Sequence, residues 1–258
     1  MEPILLNITD SVAQITLNRP EVYNSFNGPM AKQLQIALDE CRNNSSVRAI
    51  YITGAGKAFC AGQDLQEILG EDSPSLEHIL QDHLNPIIHR IMNMEKPIVC
   101  GVNGVAAGAG ANIAIACDIT VACHSASFIQ AFINIGLIPD SGGTYLLPRL
   151  VGWQRAAALM MLGEKISAEE AMNTGMIYKV FPDQKFNESA LALVTQLAQK
   201  PTAAIGLIKR ALNYSFTNDL DKQLAIEEQL QASAGLTEDY KEGVQAFVEK
   251  RKAVFRGV

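Results

Sequence analysis

The sequence predicts an α/β fold in which strand, glycine turn and helix repeat as a spiral, followed by an all-helical tail. Three observations carry this. A β-branched run at 47–53 leads through Gly54-Ala55-Gly56-Lys57 into the glycine turn Phe59-Cys60-Ala61-Gly62-Gln63-Asp64-Leu65. A buried apolar run at 97–102 leads into a second one, Asn103-Gly104-Val105-Ala106-Ala107-Gly108-Ala109-Gly110-Ala111, and a helix-compatible stretch follows each. After Pro148 the apolar spacing becomes helical and stays so.

Residues 4–17 alternate as a hairpin turning around 7–11, and Asn18-Arg19-Pro20 ends it. A helix is expected from Pro29, because Met30, Leu34, Ala37, Leu38 and Cys41 share one face and proline suits a first turn. Helix over 110–117, strand over 119–122 and strand over 127–132 follow the second glycine turn. Ser167-Ala168-Glu169-Glu170 is a capping box. Further helices are expected from Trp153 and over 188–199, 203–213, 220–234 and 238–255. The polar, breaker-rich loop at 70–75 reads equally as a flap beside the first glycine turn or as plain surface.

The 258 residues suffice to bury a large core. A formal charge of −6 argues against nucleic acid as a partner, which needs a broad basic surface. The five cysteines form no Cys-x-x-Cys pair and read as buried free thiols in a reducing compartment. The apolar stretch 98–116 is broken by four glycines, so it reads as strand, turn and helix rather than a membrane span. With no leader pattern and no peroxisomal signal at the C-terminus, the cytoplasm is the expected location.

Helix starts leave N–H groups without intrahelical partners at the positive end of the dipole. Two such starts facing each other would form an oxyanion hole made of backbone alone, which suggests chemistry on a carbonyl. Other motifs point nowhere. Gly54-Ala55-Gly56-Lys57 lacks the full phosphate-loop pattern, and Gly108-x-Gly110 lacks the third glycine of a dinucleotide fingerprint. A serine nucleophile at Ser141 would need a histidine base, and His78, His83, His89 and His124 offer neither that nor metal-ligand spacing. Asp140 lies between the apolar segment 135–139 and two glycines, where burial would raise its pKa and suit it to proton transfer; capping the following turn is the equal alternative. Asp64 reads as holding its turn by accepting N–H bonds. Asn112 faces either the core or the site, and Lys250-Arg251-Lys252 is either solvated surface or a phosphate anchor.

The two glycine turns, Asn18-Arg19-Pro20 and the tail Phe247-Val248-Glu249-Lys250-Arg251 together resemble the crotonase, or enoyl-CoA hydratase/isomerase, superfamily across essentially the whole chain. The resemblance is strongest to the branch acting on ring-1,2-epoxyphenylacetyl-CoA. It implies a crotonase-like spiral of repeated ββα units over 1–195 and a helical oligomerisation region over 196–258. It implies an oxyanion hole from the N–H groups of Ala61 and Ala109. It sets Asn112 and Phe132 where hydratases carry their two water-activating glutamates, and Asp140 where isomerases carry a catalytic carboxylate. Arg19, Val22, Ala61, Gly62, Gln63, Asp64, Gly108, Asn112, Phe132 and Lys250 fall in the substrate-binding regions, Lys250 toward a neighbouring subunit's ligand. The implied protein is an acyl-CoA isomerase working on an acyl-CoA thioester, with neither metal nor separate cofactor, since coenzyme A arrives with the substrate. The implied assembly is a trimer or dimer of trimers, with a related hydratase as a potential heteromeric partner and no nucleic acid or membrane. An isomerase of linear 3-enoyl-CoA in fatty-acid oxidation and a non-catalytic acyl-CoA-binding member of the fold are the alternatives.

Overall fold

The computed structural model describes residues 2–69 and 73–258. The middle of the breaker-rich loop, Gly70 to Asp72, lies outside the described residues. The hairpin forms from β1 (Ile4–Thr9) and β2 (Val12–Leu17), joined at Asp10 and Ser11, both at positive φ. Helix α1 (Gly28–Asn43) starts where Asn27 caps the Met30 N–H, and the Glu67 carboxylate accepts from the Gly28 N–H at 2.7 Å.

Three ββα-like coils then follow. Each contributes one strand to a six-stranded sheet and a short one to a four-stranded sheet. The coils are β3 (Ala49–Gly54) with β4 (Ala58–Cys60), β5 (Ile98–Val102) with β6 (Val105–Ala107), and β7 (Ile119–Cys123) with β8 (Ser127–Ile129). With β9 (Lys165–Ser167) and β10 (Lys179–Phe181) added from further along the chain, the large sheet runs β1-β2-β3-β5-β7-β10, parallel from β2 onward, and the small one runs β4-β6-β8-β9. Strands β4 and β6 are hidden inside the glycine turns, too short and too alanine-rich to show an alternating pattern. Glycine is required at the corners because the coils stack in contact: a Cβ on Gly104 would stand 2.1 Å from the Lys57 carbonyl oxygen. Asn103 staples neighbouring corners, its Oδ1 accepting from the Gly54 N–H at 3.0 Å and its Nδ2 donating to the Gly56 carbonyl at 3.1 Å.

Between the first two coils, one helical segment runs through α2 (Leu76–His78), a π-helical stretch at Ile79–Leu84 and α3 (Asn85–Asn93). Helix α4 (Ala109–Ala116), built of small and apolar residues, is buried along its whole length. Phe26, Tyr51, Phe59 and Phe128 are among the largest sealed side chains of the core. Truncating one of the sealed phenylalanines to alanine should cost about 3–5 kcal/mol. All five cysteines are free and buried.

Three expectations need correction. The strand expected over 127–132 stops at Ile129, because its partner β6 ends at Ala107 and leaves nothing to pair with; Phe132 sits instead in a 3-10 turn, Ala131–Ile135. The chain beyond Pro148 is not purely helical. Helix α5 (Gly143–Val151) starts earlier and contains that proline, and α6 (Trp153–Leu162) follows. Next come β9 (Lys165–Ser167), α7 (Ala168–Asn173) behind its capping box, and β10 (Lys179–Phe181), the two strands extending the two sheets. Helices α8 (Phe186–Ala198), α9 (Thr202–Ser215), α10 (Leu220–Gly235) and α11 (Glu238–Val248) complete the chain.

The last helix ends at Val248 rather than near 255, with Lys250 at φ +55. The final residues fold back because Asp239, buried at the start of α11, accepts from the Arg256 and Gly257 N–H groups at 2.6 and 2.7 Å. Among the described residues no helix is long and apolar enough to cross a membrane.

Candidate active site

The first glycine turn leaves β4 and runs beside the Tyr23–Phe26 loop. The Gly62 carbonyl accepts from the Phe26 N–H at 2.7 Å, and the Asp64 N–H donates to the Phe26 carbonyl at 2.8 Å. Those two groups face Phe26, so the N–H of the intervening Gln63 points to the other side, and among the described residues it has no hydrogen-bond acceptor. The Ala61 N–H, expected as an oxyanion donor, is engaged with the Tyr23 carbonyl at 2.9 Å. In the second turn, Gly108 (φ +52) donates its N–H to the Ile129 carbonyl at 2.9 Å, and Ala109 is the first residue of α4, where helix geometry leaves an N–H unpaired. The turns touch: a Cβ on Gly62 (φ +95) would lie 3.0 Å from the Ala107 oxygen and 3.5 Å from the Ala109 nitrogen.

Both turns open on a cavity of about 550 Å³, within the usual range for a small-molecule site. Its walls are apolar: Leu76, Ile79, Leu80 and Leu84 on one side, Phe132, Ile135, Leu137 and Ile138 on the other. Ile138, on the cavity wall, is 80% exposed. Gly62, Gln63, Gly108, Ala109, Phe132 and Asp140 all line the cavity.

Asp140 is the single titratable side chain among the described lining residues. Burial pushes its carboxyl up to about 6, while the hydrogen bond from the Ser141 hydroxyl (2.8 Å) pulls the other way. It occupies a turn whose next two residues are left-handed, Ser141 at φ +50 and Gly142 at φ +75. The Asp140 carbonyl accepts from the Gly143 N–H and from Asn112 Nδ2, each at 2.8 Å. Cys60, behind the first turn, is no nucleophile, since burial pushes its thiol up to about 12.

The remaining expected residues lie elsewhere. Asn112 is fully buried and does not line the cavity; its Oδ1 accepts from Gln130 Nε2 at 2.8 Å, so of the two readings the core-bonded one holds. Arg19 donates to the Ser25 carbonyl and pairs with Asp64 at 3.0 Å, while Asp64 also caps the Gln66 N–H, so both tie loops together. Val22 is half-buried in the 3-10 turn Pro20–Val22, outside the cavity wall. Lys250 is exposed on the tail and does not line the cavity, and its neighbour Arg251 is held by Glu242 and Glu249. Sequence reasoning missed the Gln63 N–H as the free one, and also Gln130. The first depends on which residue faces Phe26 across a long-range bridge, which no local pattern shows.

A spiral of stacked coils whose two glycine turns line an apolar cavity is the architecture of the crotonase fold. The family model for enoyl-CoA hydratase/isomerase matches residues 7–258, and the chain belongs to that family. It is 45% identical over 260 residues to the 1,2-epoxyphenylacetyl-CoA isomerase of Escherichia coli (strain K12), covering 100% of this chain and 99% of that one. It is 38% identical to the trans-2-decenoyl-[acyl-carrier-protein] isomerase of Streptococcus mutans, covering 98% of each. The crystal structure of an enoyl-CoA hydratase from Bacillus anthracis superposes with a TM-score of 0.92 at 33% identity, covering 99% of this chain and 100% of that one. Isomerase and hydratase names thus both occur among its relatives.

Proposed function

We propose that this enzyme is an acyl-CoA isomerase whose oxyanion hole consists of the Gln63 and Ala109 N–H groups and whose proton shuttle is Asp140. The observation that carries the reading is the Asp140 carboxyl, the single titratable side chain among the described lining residues of an apolar cavity, beside two N–H groups without acceptors among the described residues. The thioester oxygen accepts both N–H bonds. Asp140 takes a proton from the carbon next to the carbonyl of a 3-enoyl thioester, and the charge spreads onto the oxygen. Asp140 returns the proton two carbons further along, and the double bond moves into conjugation. Removing one oxyanion donor typically costs about 3–4 kcal/mol of barrier. A positioned base is typically worth about 10²–10⁴-fold.

Hydration is disfavoured because Asn112 is sealed and neutral and Phe132 is apolar, so neither activates water. The likeness to the E. coli isomerase makes 2-(1,2-epoxy-1,2-dihydrophenyl)acetyl-CoA, converted to its seven-membered oxepin isomer, the leading substrate. A linear 3-enoyl-CoA comes second, and comparing kcat/KM on the two separates them. No metal or separate cofactor is needed, and Arg19 and Val22, beside the Gln63 turn, are kept as rim contacts for coenzyme A. The exposed apolar residues Leu220, Leu224, Leu236 and Phe247 support assembly through the helical tail into a trimer or dimer of trimers, where Lys250 would face a neighbour's ligand. The test is Asp140→Asn, assayed with both substrates and for deuterium uptake from heavy water. Loss of both conversions and of the uptake is expected; wild-type rates on both substrates would sink the assignment.

A further inference from the structure

We propose that Asn112 is a positioning residue for Asp140, anchored at its Oδ1 by Gln130, so that helix α4 sets the placement of the base relative to the oxyanion hole. This rests on the reading of Asp140 as the proton shuttle.

Ala109 and Asn112 are three residues apart on α4, and residues so spaced share a helix face. The same short, fully buried helix therefore presents an unpaired N–H to the cavity and an amide to the Asp140 carbonyl. The orientation of that amide is forced. A carbonyl can only accept, so Asn112 must turn its Nδ2 toward Asp140 and its Oδ1 toward Gln130. Gln130 must then answer with its own Nε2, and its Oε1 is left buried without a partner. The direction of the relay is thus set from the Asp140 end.

The turn being held is one that needs holding. Ser141 is a non-glycine residue at φ +50, a conformation that persists only where its surroundings over-determine it. The fit is close, since a Cβ on Gly143 would stand 2.4 Å from Asn112 Nδ2. A longer side chain at 112 has no room under this turn, and an acceptor of the same shape would face the Asp140 carbonyl oxygen to oxygen.

The experiment uses Asn112→Asp, which keeps the shape and removes the donor, and Gln130→Leu, which removes the hydrogen bond that anchors the Asn112 Oδ1 and lets the side chain shift. Kinetics are expressed per folded molecule from circular dichroism. The expected result is a fall in kcat of up to about 10²-fold for Asn112→Asp, as for other small misplacements of a catalytic group, and a smaller fall for Gln130→Leu. KM should stay within roughly threefold in both, since neither residue lines the cavity and ground-state binding is unaffected. A kcat per folded molecule within twofold of wild type would overturn the proposal, as would a loss confined to KM. Should Asn112→Asp fail to fold, Gln130→Leu carries the same test. Asp140→Asn in parallel separates the two levels. Full activity there removes the base itself, whereas an inactive Asp140→Asn beside fully active Asn112→Asp and Gln130→Leu removes only the positioning role.

Discussion

Replacing Asp140 by asparagine should make the protein more stable, and by an amount that grows with pH. The carboxyl moves from its ordinary 3.8 to about 6 on folding, chiefly through burial. A raised native pKa means that the folded state holds the proton longer than the unfolded chain. Well below pH 3.8 both states are protonated and there is no penalty. As pH rises through 3.8 and on through 6, the unfolded state gains and native stability is lost. About two pKa units correspond to about 3 kcal/mol at pH 8 and about half that at pH 5. The carboxyl keeps partial contact with solvent, so screening trims the pH 8 figure to about 1–3 kcal/mol. Asparagine has the same shape, can accept from the Ser141 hydroxyl, and carries no charge to desolvate. The assay is urea unfolding of both proteins at pH 5 and pH 8, at one protein concentration. A stability difference that is independent of pH, or a variant less stable at pH 8, would refute the desolvation argument.

Other outcomes follow from the same geometry. The kcat of the wild-type enzyme should rise through about pH 6 as Asp140 ionises, and Ser141→Ala, which removes the bond that lowers that pKa, should move this limb to higher pH in a kcat profile. Gly62→Ala would force a Cβ toward the Ala107 oxygen at positive φ; destabilisation of about 1–3 kcal/mol and a reduced kcat are expected, measured by thermal unfolding and steady-state kinetics. Lys209 is buried and donates to Asp118 (2.9 Å) and to the Ile91 carbonyl (2.7 Å). Lys209→Met should therefore cost about 3–5 kcal/mol, much of it recovered when Asp118→Asn is added, as a double-mutant unfolding cycle would show.

The sequence revealed what depends on neighbours along the chain. Helix α1, the capping box at Ser167, the strands β3, β5 and β7 and the glycine turns all rest on periodicity or local turn chemistry. Asp140 stood out because its flanking residues are apolar, and its raised pKa is the consequence. What escaped depends on distant partners. Strands β4 and β6 are three residues each and gain their identity from pairing with one another and with β8. The choice between the Ala61 and Gln63 N–H groups is made by the loop at Tyr23 and Phe26, which sits across a bridge far away in sequence. The termination of β8 is likewise decided by where β6 ends. Arg19 and Asp64 pair with each other, and Asn112 with Gln130 and the Asp140 carbonyl, contacts between distant segments that no local pattern shows.

The two glycine turns emerge from β4 and β6, adjacent parallel strands of one sheet. Neighbouring strands stand about 4.8 Å apart, a dimension set by backbone hydrogen bonding and indifferent to side chains. The two glycine turns therefore leave the sheet from strands whose separation is set by backbone pairing. The acyl walls, in contrast, are drawn from a helical segment and a loop whose side chains are free to change. Such a molecule can vary the shape of its cavity through the walls while the spacing of the two glycine turns stays tied to the sheet.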